Sequence, residues 1–383
     1  MKTSLFSIVI NPNKPVKQYG HIQQTQEIFD VHDDLKARFM IIEDSFYFVF
    51  ISVDTLGLSL EFINELEQSI KPLFDKEIKL CVSSTHTHYG ADTNDESYSN
   101  QLKNQFIDAL SNIKYQNHEN LFVSYVCINY DEVGKSRISN HEANVILGLL
   151  EIYDGDKVIA SIINHNTHPT ILDASTTHYF SSEFCGYLLN ELTNIYKDEF
   201  FTYTSGAMGD ISTRFTRSSQ DYNSVITLGS KLTKKVIELK NKTKEKYLMK
   251  LNYEETTIHA THEFVDIVLD DLSLTYRELE TIEYGKIVRK NLEENKENLM
   301  KTIKISKLSF NKVNMIFCPN ELFSYYLNAI DTKSSMLCCY SNGYGPYMLG
   351  INQRIITYEL FTDTFSNDTK LAVFKQINEY SYN

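Results

Sequence analysis

The sequence predicts an α/β protein: a mixed β-sheet core flanked by helices, one large domain over residues 1–383, with its site at the carboxyl ends of the strands. Three observations carry this. Apolar runs of strand length alternate with stretches of helical period. No internal repeat or low-complexity linker divides the chain. Several apolar runs end directly in histidine, aspartate or glutamate. With 383 residues, 42% of them hydrophobic and 23% charged, the chain is long enough to bury a substantial core.

The elements follow in order. Met1 to Pro12 reads as a mature strand rather than a signal peptide, because its apolar run is short and lacks a small-residue cleavage site. Ala37–Ile42 and Ser45–Asp54 read as two strands joined by a polar turn, the second nearly continuous in apolar residues, as strands buried on both faces are. Residues 59–72 are expected to be helical, and Glu77–Thr85 to form the next strand. Tyr98, Leu102, Phe106, Leu110 and Ile113 then recur at spacings of four and three, one stripe of an amphipathic helix. Leu121–Tyr130 is a further strand, and Leu147–Tyr153 and Val158–Asn164 form a hairpin about Asp154-Gly155-Asp156. A helix over 183–197, a short strand Phe200–Thr204, a helix Asp221–Lys240 and an alternating strand Tyr247–His259 come next. Residues 273–300 read as a charged surface helix with Thr275-x-x-Glu278 as its capping box. Thr302–Phe310 and Lys312–Phe317 complete a last hairpin, followed by a helix over 321–330 and a tyrosine- and glycine-rich loop over 341–347.

The formal net charge is −13, with no block of lysine or arginine, so charge does not favour nucleic acid or an anionic membrane as a partner. The six cysteines (81, 127, 185, 318, 338 and 339) are scattered without a C-x-x-C pair, which fits neither a disulfide framework nor a structural zinc cluster and suits a reducing compartment. No window reaches 18 apolar residues, so no transmembrane helix is expected. The expected location is the cytoplasm.

The chemistry is expected where strands end. Cys81 to Gly90 is an apolar run closing in His86-Thr-His88; in an extended backbone residues i and i+2 share a face, which would set the two imidazoles side by side, as a metal ligand pair or simply as a polar strand end. His168, Asp210 with Ser212, and Glu321 also follow apolar strands, and α/β proteins build their sites beyond the carboxyl ends of strands. Two histidines, a carboxylate and one open position make a catalytic zinc arrangement. His259 and His262, three apart in a strand-like stretch, would face opposite ways and read as structural.

Four motifs in this order resemble those of the neutral/alkaline, non-lysosomal ceramidase family: Ser-Ser-Thr-His-Thr-His-Tyr-Gly (83–90), His-Pro-Thr (168–170), Gly-Ala-Met-Gly-Asp-Ile-Ser (206–212), and Pro-Asn-Glu (319–321) followed by Ser-Asn-Gly-Tyr-Gly-Pro-Tyr (341–347). The resemblance runs from the first strands to about Glu359. It implies zinc ligands at His86, His168, Glu321 and Tyr347, with Tyr344 as the rival tyrosine. It also implies catalytic residues at Ser212 and Asp210 of one loop, at His88, and at Arg137, where Ser136 replaces the family's asparagine. Thr213 stands in place of the usual proline and Tyr89 in place of serine, and the immunoglobulin-like C-terminal domain and secretion signal of characterised ceramidases have no counterpart in the sequence.

The implied function is zinc-dependent hydrolysis of an amide (N-acyl) bond in a small sphingolipid-like or more soluble N-acyl substrate. In this reading zinc activates water, while His88 and Arg137 stabilise the oxyanion and Ser212 orients or shares the nucleophile. A peptidase or esterase on the same scaffold, or a non-catalytic metal-binding relative, are the alternatives. Each residue also has a plainer reading: His168 as a core histidine bonded to backbone, Glu321 as a helix cap, Ser212 as a turn residue bonded to its own backbone.

Overall fold

The computed structural model describes residues 1–21, 24–138, 142–242, 244–267 and 276–382. Three mixed sheets form its frame. In the first, Ile78–Ser84 runs parallel to Tyr47–Val53, which continues antiparallel into Lys36–Glu43 and Lys2–Val9, with Gln116–Asn117 at the far edge. In the second, Phe200–Ser205 lies parallel to Lys157–His165, followed by Ile146–Asp154, Leu121–Asn129 and Tyr247–Leu248, all antiparallel. In the third, Leu251–His259, Thr302–Phe310 and Asn314–Phe317 are antiparallel and Ser335–Cys338 closes the sheet in parallel. The expected strand Tyr247–His259 is therefore two strands in two different sheets.

The apolar runs are continuous because both faces of each strand are covered. Phe39, Ile41, Val49 and Ile51 pack under the helices Leu60–Ile70 and Glu96–Ser111, against Phe62, Leu66, Leu102 and Phe106. Their neighbours Met40, Ile42, Phe48 and Phe50 point the other way, as the pleat requires, into an inner core shared with Leu150 and Ile162 of the second sheet and Phe310 and Phe317 of the third. Helices Glu183–Ile195 and Tyr222–Lys240 cover the outer face of the second sheet, and Asn367–Tyr382 packs against the third. The helix stripe is real: Tyr98, Leu102, Phe106 and Leu110 are all buried. Ser59 caps the helix at Leu60 by accepting the Phe62 N–H at 3.1 Å, worth about 1 kcal/mol. Gly155 takes φ +61 in the expected hairpin turn between Asp154 and Lys157.

Tyr276–Glu294 is helical; its expected start at 273 and the Thr275 of the capping box lie outside the described residues. The helix expected over 321–330 does not form. Asn320–Leu322 is a short strand parallel to Gly345–Met348, and only a 3-10 turn, Ser324–Ala329, follows. Pairing with the downstream loop outcompetes the local helical pattern, so Glu321 caps nothing. Among the described residues no helix is long and apolar enough to cross a membrane.

One buried ion pair anchors the first sheet. Arg38 Nη1 donates to both oxygens of Asp54 at 2.9 and 3.0 Å, with side chains 3% and 0% exposed, and Asp54 also accepts the Lys36 N–H. Removing one partner strands the other charge in the core. Asp54→Ala is therefore expected to lose about 3–5 kcal/mol in urea unfolding, and a double replacement of Arg38 and Asp54 by apolar residues markedly less. A single-variant loss under about 1 kcal/mol would show that water reaches the pair.

Candidate metal centre and active site

Four strand ends deliver the polar groups to one place. Ile78–Ser84 leads to His86 and His88, Lys157–His165 to His168, Phe200–Ser205 to the 206–212 loop, and Asn314–Phe317 to Glu321. The extended H-x-H geometry expected from the sequence is not what forms. The strand ends at Ser84 and His86 turns into the left-handed region, φ +63, placing the His86 and His88 rings 5.0 Å apart and nearly perpendicular. A non-glycine residue there costs about 1–3 kcal/mol and persists only where its surroundings impose it.

Those surroundings are main-chain carbonyls. His86 Nδ1–H donates to Leu56 O at 2.7 Å, His88 Nδ1–H to Gly20 O at 2.9 Å, and His168 Nδ1–H to Met208 O at 2.7 Å with Ile211 O at 3.0 Å. Gly20 must be glycine: its φ is +147, and a Cβ would lie 2.7 Å from the His88 ring. With each Nδ1–H spent on a carbonyl, each imidazole turns a bare Nε2 inward, the arrangement that outer-shell carbonyls impose on metal-binding histidines. The three histidines bring their ligand atoms within 4.8 Å of one another.

Glu321 joins them. Its Oε1 lies 2.7 Å from His168 Nε2 and 3.5 Å from His86 Nε2. Burial would raise this carboxyl, but His86 and His168 outweigh it and hold the group ionised, while burial, aided by Arg137, pushes His168 below its ordinary range. His88 is pushed well down by burial, with His21, His86 and His168 adding to it. The Nε2 atoms of His168 and His86 thus converge on one carboxylate oxygen, which a shared proton or a bound cation must bridge. Five buried polar atoms without a hydrogen-bond partner among the described residues gather here: His86 Nε2, His88 Nε2, Thr85 Oγ1, Arg137 Nε and Tyr340 Oη. A divalent cation fits this donor set, since imidazole nitrogen with carboxylate oxygen suits zinc-like ions.

The remaining expected residues surround this centre. Glu321 pairs in register with Tyr347, whose hydroxyl accepts from Arg137 Nη2 at 3.1 Å. The same Nη2 reaches Gly209 O and lies 2.7 Å from Glu359 Oε1. Burial works against the charge on Arg137, but Glu359 and Tyr347 more than restore it. Tyr344 instead presents its ring to His86, 5.8 Å between centroids, and to Tyr19 at 6.4 Å. Ser212 bridges His168 through its backbone, and its Oγ accepts the Arg214 N–H at 3.3 Å. Asp210 accepts both the N–H and the O–H of Ser324, each at 2.7 Å, fastening the 206–212 loop to the segment that carries Glu321. Tyr89, the departure from serine, is wholly buried and donates to Leu172 O at 2.5 Å, tying the histidine turn to the loop after His168. His262 is bonded at both nitrogens, to Thr364 Oγ1 and Met300 O, each at 2.8 Å.

Sequence reasoning missed Gly20, Leu56 and Met208, which act through main-chain atoms, and Tyr340, Glu359 and Glu183. Glu183 offered one signal, an acid at the head of an apolar helix.

The three mixed sheets, with polar strand ends converging on one crevice, form the fold of the neutral ceramidases. A structure of a ceramidase complexed with C2 superposes with a TM-score of 0.77 at 12% sequence identity, covering 99% of this chain and 74% of the other. Neutral ceramidase from Pseudomonas aeruginosa gives the same TM-score and coverages at 13% identity. No family model and no curated protein matches the sequence. The resemblance carried by the four motifs therefore holds at the level of the fold.

Glu183 supports the loop that leaves His168. It is fully buried at φ +58, and its carboxyl accepts the N–H groups of Ile171 at 2.5 Å, Leu172 at 3.1 Å and Phe184 at 3.3 Å. Burial nevertheless raises it from 4.5 to about 7. Because the folded state holds this proton more tightly than the unfolded chain, stability falls as pH rises through that interval. Glu183→Gln is expected to abolish this component, worth up to about 3 kcal/mol between roughly pH 4 and 8. Parallel urea curves of parent and variant across that range would refute it.

Proposed function

We propose that this chain is a metal-dependent hydrolase of amide (N-acyl) bonds, acting on a soluble N-acyl compound in the cytoplasm. The observation that carries this reading is the meeting of the Nε2 atoms of His86, His88 and His168 with the Glu321 carboxylate in a buried site. His86, His168 and Glu321 would hold zinc, with a phenol from Tyr347 or its rival Tyr344 as the fourth donor. When bound, such an ion supplies Lewis acidity and brings a water's pKa toward neutrality.

The chain's own residues divide the remaining work. His88, with its Nδ1–H on Gly20, offers Nε2 as an acceptor. It takes a proton from the attacking water and returns it to the leaving amine, rather than donating to an oxyanion from the start. Arg137, kept charged by Glu359, faces the carbonyl oxygen through its unpartnered Nε–H. Ser212 keeps its hydroxyl hydrogen for orienting the water, since its oxygen accepts from Arg214. The soluble-substrate reading rests on the net charge of −13, which suits poorly a protein that docks on anionic bilayers. The cytoplasmic reading rests on six free thiols.

Elemental analysis of protein prepared without chelator is expected to find about one zinc per chain, lost in His86→Ala and Glu321→Ala. Of Tyr344→Phe and Tyr347→Phe, the one that weakens zinc identifies the phenol ligand. Protein free of every divalent metal would end the reading.

Activity is expected on water-soluble N-acyl amines and amino acids, with ceramide in detergent micelles cleaved poorly. A kcat/KM for ceramide above about 10⁴ M⁻¹s⁻¹, and above every soluble amide, would overturn the substrate assignment while leaving the amidase intact.

A further inference from the structure

Tyr340 is built into the site at evident cost. It follows the strand Ser335–Cys338 at φ +53, in the left-handed region, and its carbonyl accepts the Ser84 N–H at 3.0 Å, which locks the position against the first sheet. The ring lies over His86 with centroids 3.9 Å apart and a tilt of 31°. The residue is 1% exposed, and its hydroxyl has no hydrogen-bond partner among the described residues. Phenylalanine would make the same ring contact without burying an unsatisfied hydroxyl. Packing therefore accounts for the ring and leaves the oxygen unexplained.

The surroundings of that ring say what the oxygen serves. Beside His86 it also meets Tyr344, with centroids 6.5 Å apart, and His86 in turn meets Glu321 and His168. The three imidazoles have committed their N–H groups to Leu56, Gly20 and Met208, and Arg137 spends Nη2 on Tyr347, Gly209 and Glu359. A developing negative oxygen at this centre therefore finds Arg137 Nε–H and Tyr340 O–H among its unspent donors, beside the hydroxyls of Thr85 and Ser212.

We infer that Tyr340 is a further catalytic residue, donating its hydroxyl hydrogen bond to the carbonyl oxygen of the scissile bond as that oxygen gains charge. The inference rests on the amide-hydrolase reading above. In the balanced step, the water oxygen bonds to the carbonyl carbon and the C–N bond breaks. One water proton passes to the leaving nitrogen, and the products are a carboxylic acid and an amine. Tyr340 keeps its proton throughout. A donor that strengthens only in the transition state lowers the barrier without tightening substrate binding.

Tyr340→Phe decides the matter. Expected are a kcat lowered by about 10²–10³-fold with KM within about twofold, unchanged zinc content, and a Tm equal to or above the parent's, because an unsatisfied buried hydroxyl has been removed. A kcat within about threefold of the parent's overturns the proposal. A lowered kcat accompanied by lost zinc or a lower Tm overturns it too, since the hydroxyl would then be structural. If the parent cleaves no amide, the functional reading falls on its own, and Tyr340 is judged by calorimetry with acetohydroxamate on the zinc-loaded proteins. Binding about tenfold weaker in the variant supports the donor role, and equal affinity overturns it.

Discussion

Everything in the site depends on a joint between three sheets. Ser205, at the end of a strand in the second sheet, accepts the Cys339 N–H of the third through its carbonyl at 2.8 Å and donates its hydroxyl to the Thr85 carbonyl of the first at 3.0 Å. Beside it, Ser84 donates its N–H to Tyr340, and Ser341 and Ser83 bond through their side chains at 2.9 Å. Buried main-chain groups at strand ends need partners. Here small hydroxyl residues provide them across sheet boundaries, which is why apolar strands give way to Ser-Ser-Thr and Tyr-Ser where they meet.

The joint also explains where the backbone is strained. His86, Tyr340 and Asn342 all take positive φ at the meeting of the first and third sheets, and Glu183 does so beneath the loop of His168. None is glycine. Such conformations hold only where the packing around them is rigid, and the inner core shared by all three sheets supplies that rigidity. Strain, unpartnered polar atoms and imidazole nitrogens coincide, and this coincidence marks the place as a candidate site and not merely a polar strand end.

Much of this was legible in the sequence, and the limits are physical. Strands buried on both faces announce themselves as unbroken apolar runs, as in Tyr47–Val53, and helices as stripes, as at Tyr98 to Leu110. That the strand ends bearing His86 and His88, His168, Asp210 with Ser212, and Glu321 meet was expected from the chain pattern, while the choice of His86, His168 and Glu321 among them came from the family resemblance. That the frame is three sheets was not legible, because an apolar run does not reveal which strand it pairs with. The helix expected over 321–330 failed because the partner of Glu321, Tyr347, lies in a loop of another segment. The left-handed turn at His86 is set by packing, and the carbonyls of Leu56, Gly20 and Met208 carry no side-chain signature at all.

The joint has a kinetic consequence. His168 and Glu321 are 153 residues apart in the chain, and His86 comes from yet another sheet. Closing such distant contacts is slow, and partly folded forms leave strand edges open. No single sheet, folded early, can assemble the donor set. A metal ion would therefore recognise only the completed fold, and by mass action its binding would draw the last sheet into place. In a cell where such an ion is scarce, the fraction of chains that reach the finished state would then follow metal supply.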